Sequence, residues 1–473
     1  PVASAVQGLG GRVEMRMRGI VSARVPVDAV AALSGRACVQ GFEFDLGPGI
    51  ALNDSARVKS RIDLVQAGTA PLPMPYDGEG VLIGIIDTGS DFRHPDFKLP
   101  DGRTRVLKYW DHYLTFDAVL TPPEFGYGRE YDSTMINAGL CPATDHQFGH
   151  GTTVMGAAAS NGNATGHYIG AAPGSDLIVV SSKLTLPNWR ATIADAVKYI
   201  LDEAAALGRP VSINCSLGSY TGSHDGQDAI ALLIDSMLTA ERGRILTCAG
   251  GNSGQFPLYH LRTDVGSDTS FTWFQYETSI LGGNLGVYFD LWADSADFAN
   301  VHFAVGADRV TPSLQFRGHT FFRTVLFDTL LTDTLWSLDG NRIGVVNYEA
   351  TLRGDQVHME TYLLQPDSNS YLFRFMTTGS GAFDVWSMAS FLTSDMVPAS
   401  ALPAPVDFPD IVHYVAPDNQ KIIVDSWACS SNVITVANYF NETSYVAAND
   451  SMVVVAGGVE GAITPTSSPG PTR

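Results

Sequence analysis

Short apolar runs separated by helix-length segments constrain this chain more than any other feature. Residues 81–86, 176–181, 210–216 and 244–249 are brief, rich in β-branched residues and bounded by turn formers. Strands buried on both faces have that composition. Residues 191–207 place Ile193, Val197, Ile200 and Leu201 at helical spacing and stop at Gly208, ahead of Pro210. Residues 228–242 do the same with Ile230, Leu233, Ile234, Met237 and Leu238, and stop at Gly243. Strands alternating with helices of this length predict an α/β domain with a doubly wound parallel sheet.

The pattern breaks twice. Residues 1–45 read as strand, strand, short helix, strand, with strands over 11–19, 20–26 and 39–44 and the helix over 27–34. Residues 257–421 offer alternating strand-like segments and no persuasive helix, as in an all-β sandwich or jelly roll. The α/β character resumes near residues 431–437, so the β region is expected to be an insertion. The expected organisation is therefore 1–45, 46–256, 257–421 inserted, and 422–473 continuing the α/β domain. At 473 residues the chain is long enough for two or three cores.

A formal charge of −20, from 29 basic and 49 acidic residues, argues against nucleic acid and anionic membranes as partners. There is no apolar run of membrane-spanning length. The five cysteines, Cys38, Cys141, Cys215, Cys248 and Cys429, form no CxxC pair, which disfavours zinc. Cys215 and Cys248 sit in strand-like runs and read as buried thiols.

Three polar residues stand where such a sheet presents its chemistry. Asp87 closes the run 81–86, and an acid there is either a functional carboxylate or a turn residue. His150, between Gly149 and Gly151, starts a small-residue helix and on its own reads as structural. Asn252 follows an apolar strand within Ala249-Gly250-Gly251-Asn252; it is either a side-chain donor or a turn former.

Gly84-Ile85-Ile86-Asp87-Thr88-Gly89 and Gly149-His150-Gly151-Thr152, in that order and ahead of Asn252, resemble the motifs of subtilisin-like serine proteases, the subtilases. The resemblance covers roughly residues 1–256 and 422–473. It implies that His150 is the general base, that Asp87 orients it, and that Asn252 donates to the oxyanion. It also implies that Ser216, Leu217 and Gly218, with Ala249, Gly250 and Gly251, bind a peptide substrate as an added strand and wall its first specificity pocket. Residues 1–45 resemble the later part of a subtilase propeptide, which serves as an intramolecular inhibitor; the alternative is an ordinary β-α unit. His94 matches the family as a structural neighbour of Asp87, with a metal site formed with Asp91 and Asp96 as the lesser alternative. No metal or other cofactor is expected to be required; structural calcium is not legible.

The nucleophile is the missing part. No Gly-Thr-Ser-Met-Ala-like motif occurs in the 473 residues. Residues 467–472 resemble the segment preceding that motif, which places the serine beyond Arg473. Ser380 lacks the strand–turn–helix setting of a nucleophile, and Ser253 adjoins the residue expected to donate to the oxyanion. The expectation is a secreted or cell-envelope bacterial endopeptidase whose 473-residue part is inactive. The competing reading is a pseudoprotease that binds without cutting. A third, glycan binding by Trp273, Trp292, Trp336 and Trp386, competes with those side chains forming core. Residues 98–147, with Tyr109, Trp110 and Tyr113, are expected to line the cleft or pack over the sheet.

Overall fold

A computed structural model describes residues 2–17, 20–26, 28–39, 53–255, 259–280, 283–324, 329–418, 420–446, 451–455 and 457–473. The chain divides into two compact units, Pro1–Ala51 with Ser444–Val454, and Leu52–Thr443 with Val455–Arg473.

In the first unit, strands Arg12–Met17 and Ile20–Arg24 pair antiparallel. Helices Val2–Gly8 and Ala29–Ser34 accompany them, the former without a counterpart in the sequence reading. Ser444–Val446 and Met452–Val454 form a separate antiparallel pair. Nearly all of the strand expected over 39–44 lies outside the described residues.

The second unit is built on a seven-stranded sheet. Six of its strands are β1 (Leu82–Asp87), β2 (Val106–Asp111), β3 (Arg129–Asp132), β4 (Asp176–Ser181), β5 (Val211–Cys215) and β6 (Arg244–Ala249); the seventh is Ile434–Val436. The order is Ile434–Val436, β6, β5, β1, β4, β2, β3, and all neighbours are parallel except β2 with β3. The period of two in each strand splits the core into two layers. Ile86, Ile178, Val180 and Ile213 meet Ile193, Val197 and Ile200 of helix α2 (Trp189–Ala206) and Ile234 of helix α3 (Ala229–Thr239). On the other face Ile85, Leu177 and Val179 meet Met155 and Ala159 of helix α1 (His150–Ala159).

Residues 98–147 do not merely cover the sheet. They supply β2 and β3, with Tyr109 and Trp110 fully buried. Charged residues interrupt these strands, and Trp110 is closed over by Phe125, Tyr127 and Tyr199, contacts that no local periodicity announces.

Between β6 and Ile434–Val436 the chain builds an antiparallel all-β region of eleven strands among the described residues. Its pivot is one sixteen-residue strand, Tyr371–Trp386. The first half pairs with Ser270–Gln275 and the second with His260–Val265, so the strand serves both parts of the region. Phe274, Phe289, Phe303, Phe375 and Phe383 fill the interior. Trp273, Trp292 and Trp386 are buried, and Trp336 is half exposed.

Candidate active site

The carboxyl ends of β1, β5 and β6 lie side by side, so Asp87, Ser216 and Ala249 all reach the same edge of the sheet. His150 arrives there on the first residue of α1. Its Nδ1 is 2.7 Å from Asp87 Oδ1. Asp87 is 0% exposed, whereas the His150 side chain is 51% exposed, so the imidazole bridges buried acid and solvent.

A carboxylate only accepts hydrogen bonds, so Nδ1 carries the proton and Nε2 has a free lone pair. Among the described residues nothing is hydrogen-bonded to Nε2. The same Asp87 Oδ1 accepts the Thr88 N–H at 2.7 Å and the Thr88 hydroxyl at 3.2 Å. Burial raises the Asp87 carboxyl pKa, and the His150 hydrogen bond and Thr88 N–H pull it back. The carboxylate thus gains most when an imidazolium forms beside it. This is the arrangement of a general base held in one tautomer.

Sequence reasoning missed what aims α1. Asp145 Oδ2 accepts the Thr152 N–H at 2.8 Å and its hydroxyl at 2.7 Å. Asp145 Oδ1 accepts Gln147 N–H at 3.1 Å and Gly149 N–H at 3.2 Å. One carboxylate therefore holds the loop and the first turn of the helix, placing negative charge at its N-terminus. Thr152 Oγ1 in turn accepts the Asp91 N–H at 2.9 Å, tying α1 to the loop after β1. An acidic residue five positions ahead of His150 was the available signal.

Asn252 is exposed, just past β6. Its N–H donates to Tyr220 Oη at 3.0 Å. Residues 466–468 run alongside: Gly254 N–H donates to the Thr466 carbonyl, Ser468 N–H to the Gly251 carbonyl and Ser253 N–H to Ser468 Oγ. Ser216 and Leu217 are half-buried and Gly218 exposed at the exit of β5. Ser380 lies within the long strand opposite Asn300, far from any elbow context, and Ser253 is buried. His94 caps a short 3-10 turn through its Nδ1, which accepts the Asp96 N–H at 3.3 Å. Among the described residues no group of three His, Cys, Asp or Glu side chains is placed to hold a metal.

Residues 78–274 match the model of the subtilase family, Peptidase S8. This part of the chain resembles a subtilase domain. The chain is 30% identical to a Bacillus subtilisin over 180 residues, covering 38% of this chain and 35% of that protein. It is 28% identical to thermitase of Thermoactinomyces vulgaris over 194 residues, covering 39% of this chain and 53% of that one. It is 27% identical to a PII-type proteinase of Lacticaseibacillus paracasei over 193 residues, or 10% of that protein. The chain thus spans about half or less of each of these relatives. The solved CspB protease of Clostridium perfringens shares the fold, with a TM-score of 0.59 over 88% of this chain and 76% of that one at 18% identity. No helix among the described residues is long and apolar enough to cross a membrane.

Proposed function

We propose that the protein is a serine endopeptidase and that residues 78–274 hold its catalytic side chains except the nucleophile. The observation carrying this reading is the 2.7 Å contact of His150 Nδ1 with the buried Asp87, with Nε2 left free. A serine supplied after Arg473 gives its proton to Nε2 and attacks the scissile carbonyl. Asp87 stabilises the imidazolium, and the Asn252 amide donates to the oxyanion. The acyl-enzyme is then resolved by water, with His150 as base again. The peptide adds as a strand along Ser216-Leu217-Gly218, and Ala249-Gly250-Gly251 walls its first specificity pocket. Residues 1–45 act as a propeptide that inhibits in cis, the inserted β region is of jelly-roll type, and the enzyme works outside the bacterial cytoplasm. Without a serine at Nε2, the 473-residue chain does not hydrolyse peptides.

The test is hydrolysis of casein by the whole gene product, with His150→Ala as control. Turnover abolished by that substitution supports the proposal. A whole gene product with no Gly-Thr-Ser motif and no turnover favours the second reading, a pseudoprotease that binds peptides. That reading draws on the absence of the motif within these 473 residues.

A further inference from the structure

The chain returns from the antiparallel region across the proposed substrate cleft. Asp425 N–H donates to the Gly250 carbonyl and Ser426 N–H to the Ser219 carbonyl, each at 3.1 Å. The backbone here therefore bridges the segments that follow β5 and β6. Between those segments the Asp425 carboxyl fills the space that side chains would need. A Cβ on Gly218 would lie 1.3 Å from Asp425 Oδ2, and one on Gly251 would lie 2.8 Å from Oδ1. The Gly251 position is closed further by Tyr220 Oη at 2.4 Å and Ser468 Oγ at 2.6 Å from the same point, and its φ is +105°. Both walls are bare of side chains where they face this carboxyl.

Asp425 is 2% exposed, yet Gly218 directly above it is exposed. No cationic side chain pairs with Asp425 among the described residues, and its Oδ1 has no hydrogen-bond partner. The titratable groups around it are Tyr220, Tyr259, Cys248 and Cys429, none of them cationic. Burial pushes the carboxyl pKa up to about 7, with the Tyr220 hydroxyl pulling it down. An unpartnered buried carboxyl is costly to keep unless something pairs with it. A packing role alone would be met by an uncharged side chain of the same size.

We infer that Asp425 floors the pocket for the substrate side chain on the acyl side of the scissile bond and selects lysine or arginine there. The inference rests on the proteolytic reading of the cleft. A guanidinium or ammonium passing over Gly218 and Gly251 gives Oδ1 its missing partner in a charge-assisted hydrogen bond. A leucine or alanine in the same place leaves the carboxyl unpaired and desolvated. Discrimination is therefore electrostatic and set by one residue.

The experiment compares kcat/KM of the whole gene product on tetrapeptide p-nitroanilides that differ only in ending in arginine, lysine, leucine or alanine. Arginine and lysine are expected to exceed leucine by at least ~100-fold. Asp425→Asn brings the ratio near unity by loss of the basic substrates. If the Asn variant does not fold, the wild-type pH profile decides. The arginine-to-leucine ratio then rises with pH through about 7, because kcat/KM reports the free enzyme and ionisations common to both substrates cancel in the ratio. A preference for alanine or leucine, or a ratio flat in pH, overturns the inference while leaving the protease reading intact. If no peptide is hydrolysed the protease reading fails, and fluorescence anisotropy of labelled tetrapeptides with the 473-residue chain takes over. Arginine-ended peptide bound about tenfold tighter than leucine-ended, an advantage lost in Asp425→Asn, supports the pocket; equal affinities overturn it.

Discussion

Gly151 passes so close to Gly89 that a Cβ on it would lie 2.0 Å from the Gly89 carbonyl oxygen and 3.0 Å from Asp87 Oδ1. The glycine after His150 is thus what lets α1 approach β1 closely enough for imidazole and carboxylate to meet. Gly151→Ala must push the helix off the strand. The expected cost is about 1–3 kcal/mol, typical of overpacking. The readout is thermal unfolding together with the low-field proton resonance of His150 Nδ1–H, which should shift upfield or vanish. An unchanged resonance would show that the helix yields without disturbing the pair.

Asp87→Asn tests what the carboxylate contributes beyond shape. An amide in the same place can donate to Nδ1, which turns the imidazole into the tautomer with no lone pair on Nε2. If the whole gene product is a protease, kcat should fall about 10⁴-fold with KM little changed. A loss below tenfold would mean that His150 finds its tautomer by other contacts.

Much of this was legible beforehand, and the exceptions share a cause. β4 and β6 were readable to the residue because parallel strands buried on both faces are continuous apolar runs. Asp87 and His150 were readable because each sits in a distinctive local motif. β2 and β3 were hidden because Lys108, Arg129 and Glu130 break their apolar pattern; Lys108 is paired with Glu130 across the two strands. Asp425 was hidden because its role depends on Gly218 and Gly251, some two hundred residues away in sequence. Side chains whose meaning comes from a distant neighbour leave no local trace.

Asp145 should behave as a positioning residue for α1. Asp145→Ala removes the acceptor for three backbone N–H groups and one hydroxyl. A loss of roughly 0.5–2 kcal/mol in unfolding free energy is expected, as for other helix N-terminal acceptors. In the whole gene product kcat should drop more than KM rises, and Asp145→Asn should recover part of both. Equal changes in kcat for Asp145→Ala and for an unrelated variant of the same stability would reduce its role to folding.

The antiparallel region has its own buried charge. Arg374 is 3% exposed; its Nη2 donates to Asp308 Oδ1 at 2.6 Å, and its guanidinium lies 4.3 Å from the Phe271 ring centre. Trp273 Nε1 donates to the same aspartate. Arg374→Met leaves Asp308 buried without its cation and should cost about 3–5 kcal/mol. Adding Asp308→Asn, which keeps an acceptor for the indole, should recover part of that loss. Denaturant unfolding followed by tryptophan fluorescence reads both, and additive losses would show that the pair is not coupled.

Asp425 should also make folding stability fall with pH. Its carboxyl titrates near 3.8 in an ordinary setting and about 7 in the folded chain. A raised carboxyl pKa means that the folded state holds the proton longer than the unfolded one. The stabilising contribution is therefore complete below pH about 4 and is lost as pH rises through 7, at up to roughly 1.4 kcal/mol per unit. Asp425→Asn removes this dependence, while His112 and His224, whose burial holds their pKa values near 3 and 4, remain in both proteins and cancel. The variant should therefore gain stability relative to wild type between pH 5 and pH 8, read as a widening difference in denaturation midpoint. A constant difference across that range would mean that the carboxyl finds solvent or a cation in the folded chain, and the pocket floor would then be neither dry nor unpaired.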